Sequence, residues 1–324
     1  TWTAVGAGGG AAGGLVGGAL VDGLSWRWVL LINVPIGAVV LAGSLRWLAE
    51  SRNGGGRRLD LPGAVLVTAG LATLAYGISQ TEARGWTAAA TLVPLVAGLA
   101  LIGLFLLVES RTAAPLMPLG LFRVRSVSSA NAAMFLSGSA MFCMWYFMTL
   151  YAQNVLGYSP LEAGLALVPS SLAVLLGSKS APRFMPLLGA RNVAALGAVI
   201  AAAGFGWQSA MTPQGNYLTE IMFPGILMML GAGLMATPLA ALATSGAAPG
   251  EAGLVSGLIN TSRTMGGSLG LAVMSTIAAA RTGTSGTPAA LTEGYALVFR
   301  VGAVVLVAGV ALMLAWLPRS PSGR

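Results

Sequence analysis

Ten stretches of the chain are dominated by apolar residues and glycine. They cover 2–21, 27–48, 61–79, 88–108, 127–152, 160–180, 191–210, 217–241, 252–279 and 294–317. A helix needs about 20 apolar residues to cross about 30 Å of hydrocarbon. Backbone in lipid must pair its own N–H and C=O groups, so each stretch predicts a membrane-spanning helix. The ten-residue alternation of a membrane barrel is absent. Polar turns separate the stretches, as at Asn53-Gly54-Gly55-Gly56, Thr212-Pro213-Gln214-Gly215 and Gly283 through Pro288. Trp26, Trp28, Trp47, Trp86 and Trp316 stand near stretch ends, where amphipathic rings mark the lipid–water interface. The predicted fold class is all-α, a polytopic membrane bundle of ten transmembrane helices.

Composition agrees. Of 324 residues, 56% are hydrophobic and 8% charged, against about 25% charged in a soluble domain. Mean hydropathy is +0.82. A soluble fold and a disordered chain are excluded. Glycine, at 46 residues, is about twice its usual share near 7%, which suits close helix packing in lipid. The chain has no histidine and one cysteine, Cys143. An intrachain disulfide, a zinc site of His and Cys ligands, and histidine-based catalysis are therefore excluded. The chain starts at Thr1 and enters apolar sequence at once, with no signal-peptide pattern. That sets the expectation of a piece of a longer protein, cut at its N-terminus.

The net charge of +8, from 17 Lys+Arg and 9 Asp+Glu, is read by position. Connections on one side hold Arg46, Arg52, Arg57, Arg58, Arg111, Arg123, Arg125, Lys179, Arg183, Arg191, Arg319 and Arg324. Those on the other hold Arg27, Arg84, Arg281 and Arg300. The positive-inside rule makes the first side cytoplasmic, with the C-terminus on it. The charge is then mainly a topology signal, and a nucleic-acid partner is not expected. The segment Glu109–Ser126, with Pro115, Pro118, Arg123 and Arg125, divides four spans from six. Six suffice for a compact bundle.

The first span carries two glycine series, Gly9-x-x-x-Gly13-x-x-x-Gly17 and Gly10-x-x-x-Gly14-x-x-x-Gly18. Spacing of four puts each on one helix face and admits a neighbouring helix closely. The readings are simple packing or a hinge or seal between transporter halves. The run Gly13-Gly14-Leu15-Val16-Gly17-Gly18, through Ser25-Trp26-Arg27-Trp28 to Asn33-Val34-Pro35-Ile36-Gly37, resembles the fourteen-span drug:proton antiporters of the major facilitator superfamily. There the glycine run is the antiporter motif of the fifth span. Pro115-Leu116-Met117-Pro118-Leu119-Gly120-Leu121-Phe122 resembles the segment before the ninth span, and Tyr158-Ser159-Pro160-Leu161-Glu162-Ala163-Gly164 the start of the tenth. Gly257-Leu258-Ile259-Asn260-Thr261-Ser262-Arg263 with Gly266-Gly267 resembles the thirteenth. Two departures stand out. Gly14 occupies a usual proline position, where it loosens a kink. The stretch from Arg183 through Gly189 to Arg191 resembles the second-half cytoplasmic gating loop, with Pro186 replacing its Asp.

The resemblance implies an alternating-access exporter in the plasma membrane. Residues 1–49 would hold the last two spans of the N-terminal bundle, 50–111 two linking spans, and 112–324 the C-terminal six-span bundle. The expected function is proton-coupled efflux of lipophilic or cationic small molecules, with no cofactor beyond the proton gradient. Expected partners are a small-molecule substrate, membrane lipid and the missing N-terminal spans. The coupling acid of the family lies in its first span, upstream of this chain. A dedicated exporter of one metabolite or antibiotic is the alternative, and a non-transporting receptor or assembly subunit the alternative of another class. A membrane enzyme is not expected.

All nine acids lie at or near span ends: Asp22, Glu50, Asp60, Glu82, Glu109, Glu162, Glu220, Glu251 and Glu293. Ser159-Pro160-Leu161-Glu162 predicts a capping box. Asp22 and Glu220 admit coupling or interfacial readings, the interfacial being preferred. Arg263 stands inside a span, facing an aqueous cavity or snorkelling to the surface. Asn260 shares its face. The first span of the six is rich in methionine and aromatic residues, and Met141, Trp145 and Met148 recur at one-face spacing. By resemblance that span lines the substrate cavity. Pro35, Pro169, Pro224 and Pro238 predict kinks or breaks.

Overall fold

A computed structural model describes residues 2–47, 60–112, 115, 117–247, 251–283 and 285–318. Arg52, Arg57, Arg58, Arg319, Arg324, Glu50, Leu116 and the Asn53–Gly56 turn lie outside the described residues. Each of the ten apolar stretches is helical. The helices are α1 (Trp2–Gly23), α2 (Trp26–Leu31), α3 (Asn33–Trp47), α4 (Leu61–Arg84), α5 (Ala89–Glu109), α6 (Arg125–Asn154), α7 (Pro160–Ala166), α8 (Val168–Leu188), α9 (Ala190–Gln208), α10 (Phe223–Ser245), α11 (Ala252–Thr282) and α12 (Pro288–Trp316). Among the described residues, eight spans are long and apolar enough to cross a membrane. The other two stretches, α1 and α11, have 22 and 31 residues.

Three of the four prolines predicted to disturb spans sit just after a break. Pro35 follows the interruption between α2 and α3, and Pro169 is the second residue of α8. Pro224 is the second residue of α10, after one turn of π-helix at Leu218–Met222. Proline needs no donor in a first turn, so a break placed before it leaves no carbonyl partner missing. Pro238 lies inside α10, and Pro94, Pro182 and Pro186 also lie inside helices.

Helices α6 to α12 pack together, and α4 and α5 form a separate antiparallel pair. In lipid the apolar driving force between helices is absent, so van der Waals contact of small residues holds them. Gly197 on α9 and Gly231 on α10 show the mechanism: a methyl on Gly197 would stand 2.6 Å from the Gly231 carbonyl oxygen. Gly138 and Gly266 bring α6 equally close to α11. Around them Met144, Phe147, Met148, Tyr151, Phe205 and Phe299 form a core with almost no exposed surface. Trp86, in the α4–α5 turn, donates its indole N–H to Thr276 Oγ1 at 2.8 Å and ties the pair to α11. Helix α3 has no buried residue; Leu45 and Trp47 are 80% and 83% exposed.

Two sequence expectations are corrected. The stretch from Arg183 to Arg191 is no loop: α8 continues to Leu188, α9 starts at Ala190, and Gly189 alone joins them. Gly189 adopts φ +79°, a left-handed turn that side chains disfavour, so one residue reverses the chain. Arg300 is in no connection either. It stands twelve positions after Pro288 inside α12, within the 294–317 stretch itself; Thr287 caps the helix by accepting from the Ala290 N–H and starts it six residues ahead of that stretch.

Both ends of the bundle are tied by polar groups. At the end of α12, Arg125 donates from Nε to the Trp316 carbonyl at 2.7 Å and from Nη2 to Ala315 at 3.0 Å. Arg191 Nη1 donates to the Leu314 carbonyl at 3.2 Å. A helix ends with unpaired carbonyls and a partial negative charge, which guanidinium groups satisfy. At the other end, Glu220 accepts from the Thr212 N–H at 3.0 Å, the Thr212 hydroxyl at 2.8 Å and the Tyr151 hydroxyl. This carboxylate fastens the α9–α10 connection to α6, a structural role for the acid that the sequence left ambiguous.

Candidate functional site

A cleft of about 380 Å³ lies between α1 and α2 on one side and α6, α7 and α8 on the other. The two glycine series on α1 divide its roles. Gly13 and Gly17 line the cleft, and a methyl on Gly9, Gly13 or Gly17 would meet nothing within 4 Å. Gly14 and Gly18, one residue further round the helix, also border the cleft, and their Cβ directions face α7. A methyl on Gly18 would stand 2.7 Å from the Pro160 carbonyl oxygen and 2.8 Å from the Leu161 Cα. A methyl on Gly164 would stand 2.5 Å from the Gly14 carbonyl oxygen. The seam is therefore backbone on backbone, with no room for a side chain at Gly18 or Gly164. Gly14 itself is not forced: a methyl there would make ordinary contact at 3.8 Å.

The seam ends in a hydrogen bond. Asp22, at the foot of α1, accepts from the Leu161 N–H through Oδ2 at 3.0 Å. Leu161 is in the first turn of α7, where N–H groups lack intrahelical partners. The capping box read from the sequence is present: Ser159 Oγ accepts from the Glu162 N–H at 3.2 Å, and Glu162 Oε2 accepts from the Ser159 N–H at 2.8 Å. Glu162 is thus occupied as a cap, and Asp22 as an interhelical tie.

On α6 the cleft is lined by Trp145, Thr149 and Gln153. This stripe advances by four residues a step, so it drifts round the helix in one direction. Met141 and Met148, chosen for spacings of four and three from Trp145, fall on the opposite drift. They are buried: Met148 has no exposed surface and Met141 keeps 9%. These two methionines, expected to line a substrate cavity, pack in the core here, and Trp145 alone of the three lines the cleft. Thr149 and Gln153 were missed, although their spacing from Trp145 was available. A search for aromatic and methionine side chains passes over them.

Arg263 and Asn260 are brought together away from this cleft. The Arg263 Nη2 donates to Asn260 Oδ1 at 3.0 Å, and both side chains are exposed on α11. The guanidinium thus runs back toward the N-terminal end of α11, while the Arg263 backbone packs against Gly138 of α6. Next to it Ser262 donates to Asn131 of α6 at 2.8 Å. Arg183 is exposed on the last turns of α8, and Gly189 and Arg191 make the turn and the α12 cap described above. No group of His, Cys, Asp and Glu among the described residues is arranged to hold a metal ion.

Known proteins match this architecture. The sequence profile of the Major Facilitator Superfamily matches residues 1–271. The cephamycin export protein CmcT of Amycolatopsis lactamdurans is 48% identical over 98% of this chain and 65% of its own length. The puromycin resistance protein pur8 of Streptomyces alboniger is 34% identical over 96% of this chain and 64% of its own. A multidrug resistance protein B homolog of Mycobacterium tuberculosis is 32% identical over 82% of this chain and 50% of its own. The chain thus spans between half and two thirds of the length of these relatives. In fold, a nucleoside transporter, NupG, superimposes with a TM-score of 0.55 at 14% identity, over 98% of this chain and 83% of that one. Helices, glycine seam and sequence agree: the chain belongs to the major facilitator superfamily.

Proposed function

We propose that this chain is the C-terminal part of a proton-driven exporter that moves lipophilic small molecules across the plasma membrane by alternating access. Residues 1–49 contribute two spans of an N-terminal bundle, residues 50–111 two linking spans, and residues 112–324 the C-terminal bundle, with the C-terminus cytoplasmic. The observation that carries the reading is the cleft between α1 and the bundle, shut along one edge by the Gly18–Leu161 seam and lined by Trp145, Thr149 and Gln153. Alternating access needs two rigid groups of helices meeting at a seam that opens. A seam of bare backbone, held by one exposed hydrogen bond, separates without disturbing the core of α6 to α12.

The test is accumulation of a fluorescent lipophilic cation in cells expressing the full-length protein. Expression lowers accumulation, and a protonophore restores it. Accumulation indifferent to expression would overturn export of such molecules. Lowered accumulation that survives the protonophore would overturn proton coupling. A narrower reading, a dedicated antibiotic exporter, is favoured by the 48% identity to a cephamycin export protein. Protection against a single antibiotic, with no effect on unrelated dyes, would decide for it.

A further inference from the structure

A second pocket, of about 700 Å³, opens at the opposite end of α12 from its arginine-capped C-terminus. It lies between α12 and the connection leaving α9, and its charged lining is Arg281, Glu293 and Arg300. Arg281 Nη2 and Glu293 Oε2 pair at 2.8 Å. Arg300 is exposed and makes no ion pair among the described residues.

Its position along the helix defines what surrounds it. The exposed large apolar residues below Arg300 are Val304, Val307 and Leu314, at steps of four, three and seven, with Trp316 exposed at the foot. These positions form one stripe on one helix face. Arg300 heads that stripe. Apolar side chains exposed along a membrane span face acyl chains, so the guanidinium stands where such a stripe ends. From Arg300 to Trp316 is sixteen residues, about 24 Å, within a hydrocarbon layer of about 30 Å. With Trp316 at one interface, the Arg300 backbone lies about 6 Å short of the far edge of the hydrocarbon, a gap that an extended arginine side chain spans by snorkelling. Trp207 marks the same level: it is 45% exposed, stacks on Phe223 at 6.3 Å, and precedes the pocket residue Ser209 by two positions. Exposed tryptophan is typical of the headgroup boundary.

A guanidinium at that edge requires an anionic or polar partner. The described residues supply no ion-pair partner to Arg300. Its planar fork matches a phosphate with two parallel hydrogen bonds. We propose that this pocket is a phospholipid headgroup site, in which Arg300 holds the lipid phosphodiester and the acyl chains run down the Val304–Val307–Leu314 stripe. The Arg281–Glu293 pair bounds the pocket on its aqueous side and adds no net charge, so Arg300 sets the preference for phosphate.

The experiment is native mass spectrometry of the purified full-length protein after mild delipidation. It is titrated in parallel with phosphatidylglycerol, with a phosphate-free diacylglycerol glycolipid, and with inorganic phosphate. Wild-type protein is expected to retain one tight phosphatidylglycerol adduct, which Arg300→Gln weakens about fivefold and Arg300→Lys less. Equal retention by Arg300→Gln and wild type overturns the proposal. So does equal retention of the glycolipid by wild type, a comparison that stands even if Arg300→Gln fails to fold. Displacement of the lipid by millimolar inorganic phosphate overturns the lipid assignment in favour of a free-anion site.

Discussion

The carboxylate of Asp22 accepts a hydrogen bond from the backbone N–H of Leu161 at 3.0 Å, joining the end of α1 to the first turn of α7. The two residues are 139 positions apart. Removing the carboxylate leaves the Leu161 N–H to water, because the site is exposed. An exposed bond of this kind contributes about 0.5–1.5 kcal/mol. Asp22→Ala is therefore expected to leave the fold intact and to speed amide exchange in the first turn of α7 several-fold. Hydrogen–deuterium exchange followed by mass spectrometry reads this directly. Unchanged exchange over residues 158–164 would mean that Asp22 does not hold the seam.

Gly18 is the position where the seam tolerates least. A Cβ there meets backbone atoms at 2.7 and 2.8 Å, and backbone does not rotate aside. Gly18→Leu should force α1 away from α7, at a cost of about 1–3 kcal/mol to the closed arrangement. Export by the full-length protein should fall to background while membrane insertion persists. Gly17→Leu is the control, since its Cβ direction is open. It should narrow the cleft and alter export only in part. Equal loss in both variants would show that bulk in α1, rather than the seam, is what matters.

Trp145 offers the cleft its aromatic face, and aromatic contacts of this kind are worth about 0.5–1.5 kcal/mol beyond the area they bury. Trp145→Ala is expected to weaken export of aromatic or cationic substrates up to about tenfold, with smaller effects on aliphatic ones. Met148→Ala should behave differently. It leaves a cavity in a fully buried site and lowers thermal stability, by about 2–5 kcal/mol at such positions, for every substrate alike. Dose–response curves for several substrates, set beside a melting curve for each variant, separate the two effects.

The contrast between these neighbours shows what was legible in the chain. Span positions were legible because lipid imposes one requirement, about 20 apolar residues, and the charge pattern at the ends obeys it. Capping at Ser159–Glu162 was legible because all its members are local. Which face of α6 meets the cleft was not legible. Nearly every side chain on that helix is apolar or small, so hydrophobic periodicity does not tell core from cavity. Arg300 was legible as a helix residue, since it falls within the 294–317 stretch, but counting basic residues by the nearer span end put it with the connections. The partition of glycines into Gly14 and Gly18 against Gly13 and Gly17 depends on where α7 lies, a contact made across more than 140 residues.

Among the described residues Arg263 pairs with a neighbour on its own helix, Asn260 at 3.0 Å, and its side chain is exposed. A charge inside a span persists at a considerable energetic cost unless water or a partner solvates it. Arg263→Ala should reduce export about tenfold or more without loss of insertion, and Arg263→Lys should retain a measurable part. Wild-type export by Arg263→Ala, measured at equal surface expression, would assign the residue to simple solvation at the membrane surface.

Arg125 and Arg191 reach the same target from different helices, the last carbonyls of α12. Arg125 makes two of the three bonds, and both are exposed, so the full strength of a charged hydrogen bond is not realised. About 1 kcal/mol is a reasonable magnitude. For a domain of 150–250 residues that corresponds to a fall of about 2–4 °C in melting temperature. Arg125→Ala should show such a fall, and Arg191→Ala a smaller one. The double variant should lose more than the sum, because either arginine alone keeps the terminus of α12 attached and only the double variant frees it. A pair of variants that adds without coupling would show that the two contacts act independently. Since both arginines also belong to the charge bias from which the proposed orientation is read, protease protection of the C-terminus must be measured alongside. An unchanged protection pattern with a lowered melting temperature would place their effect in the cap rather than in topology.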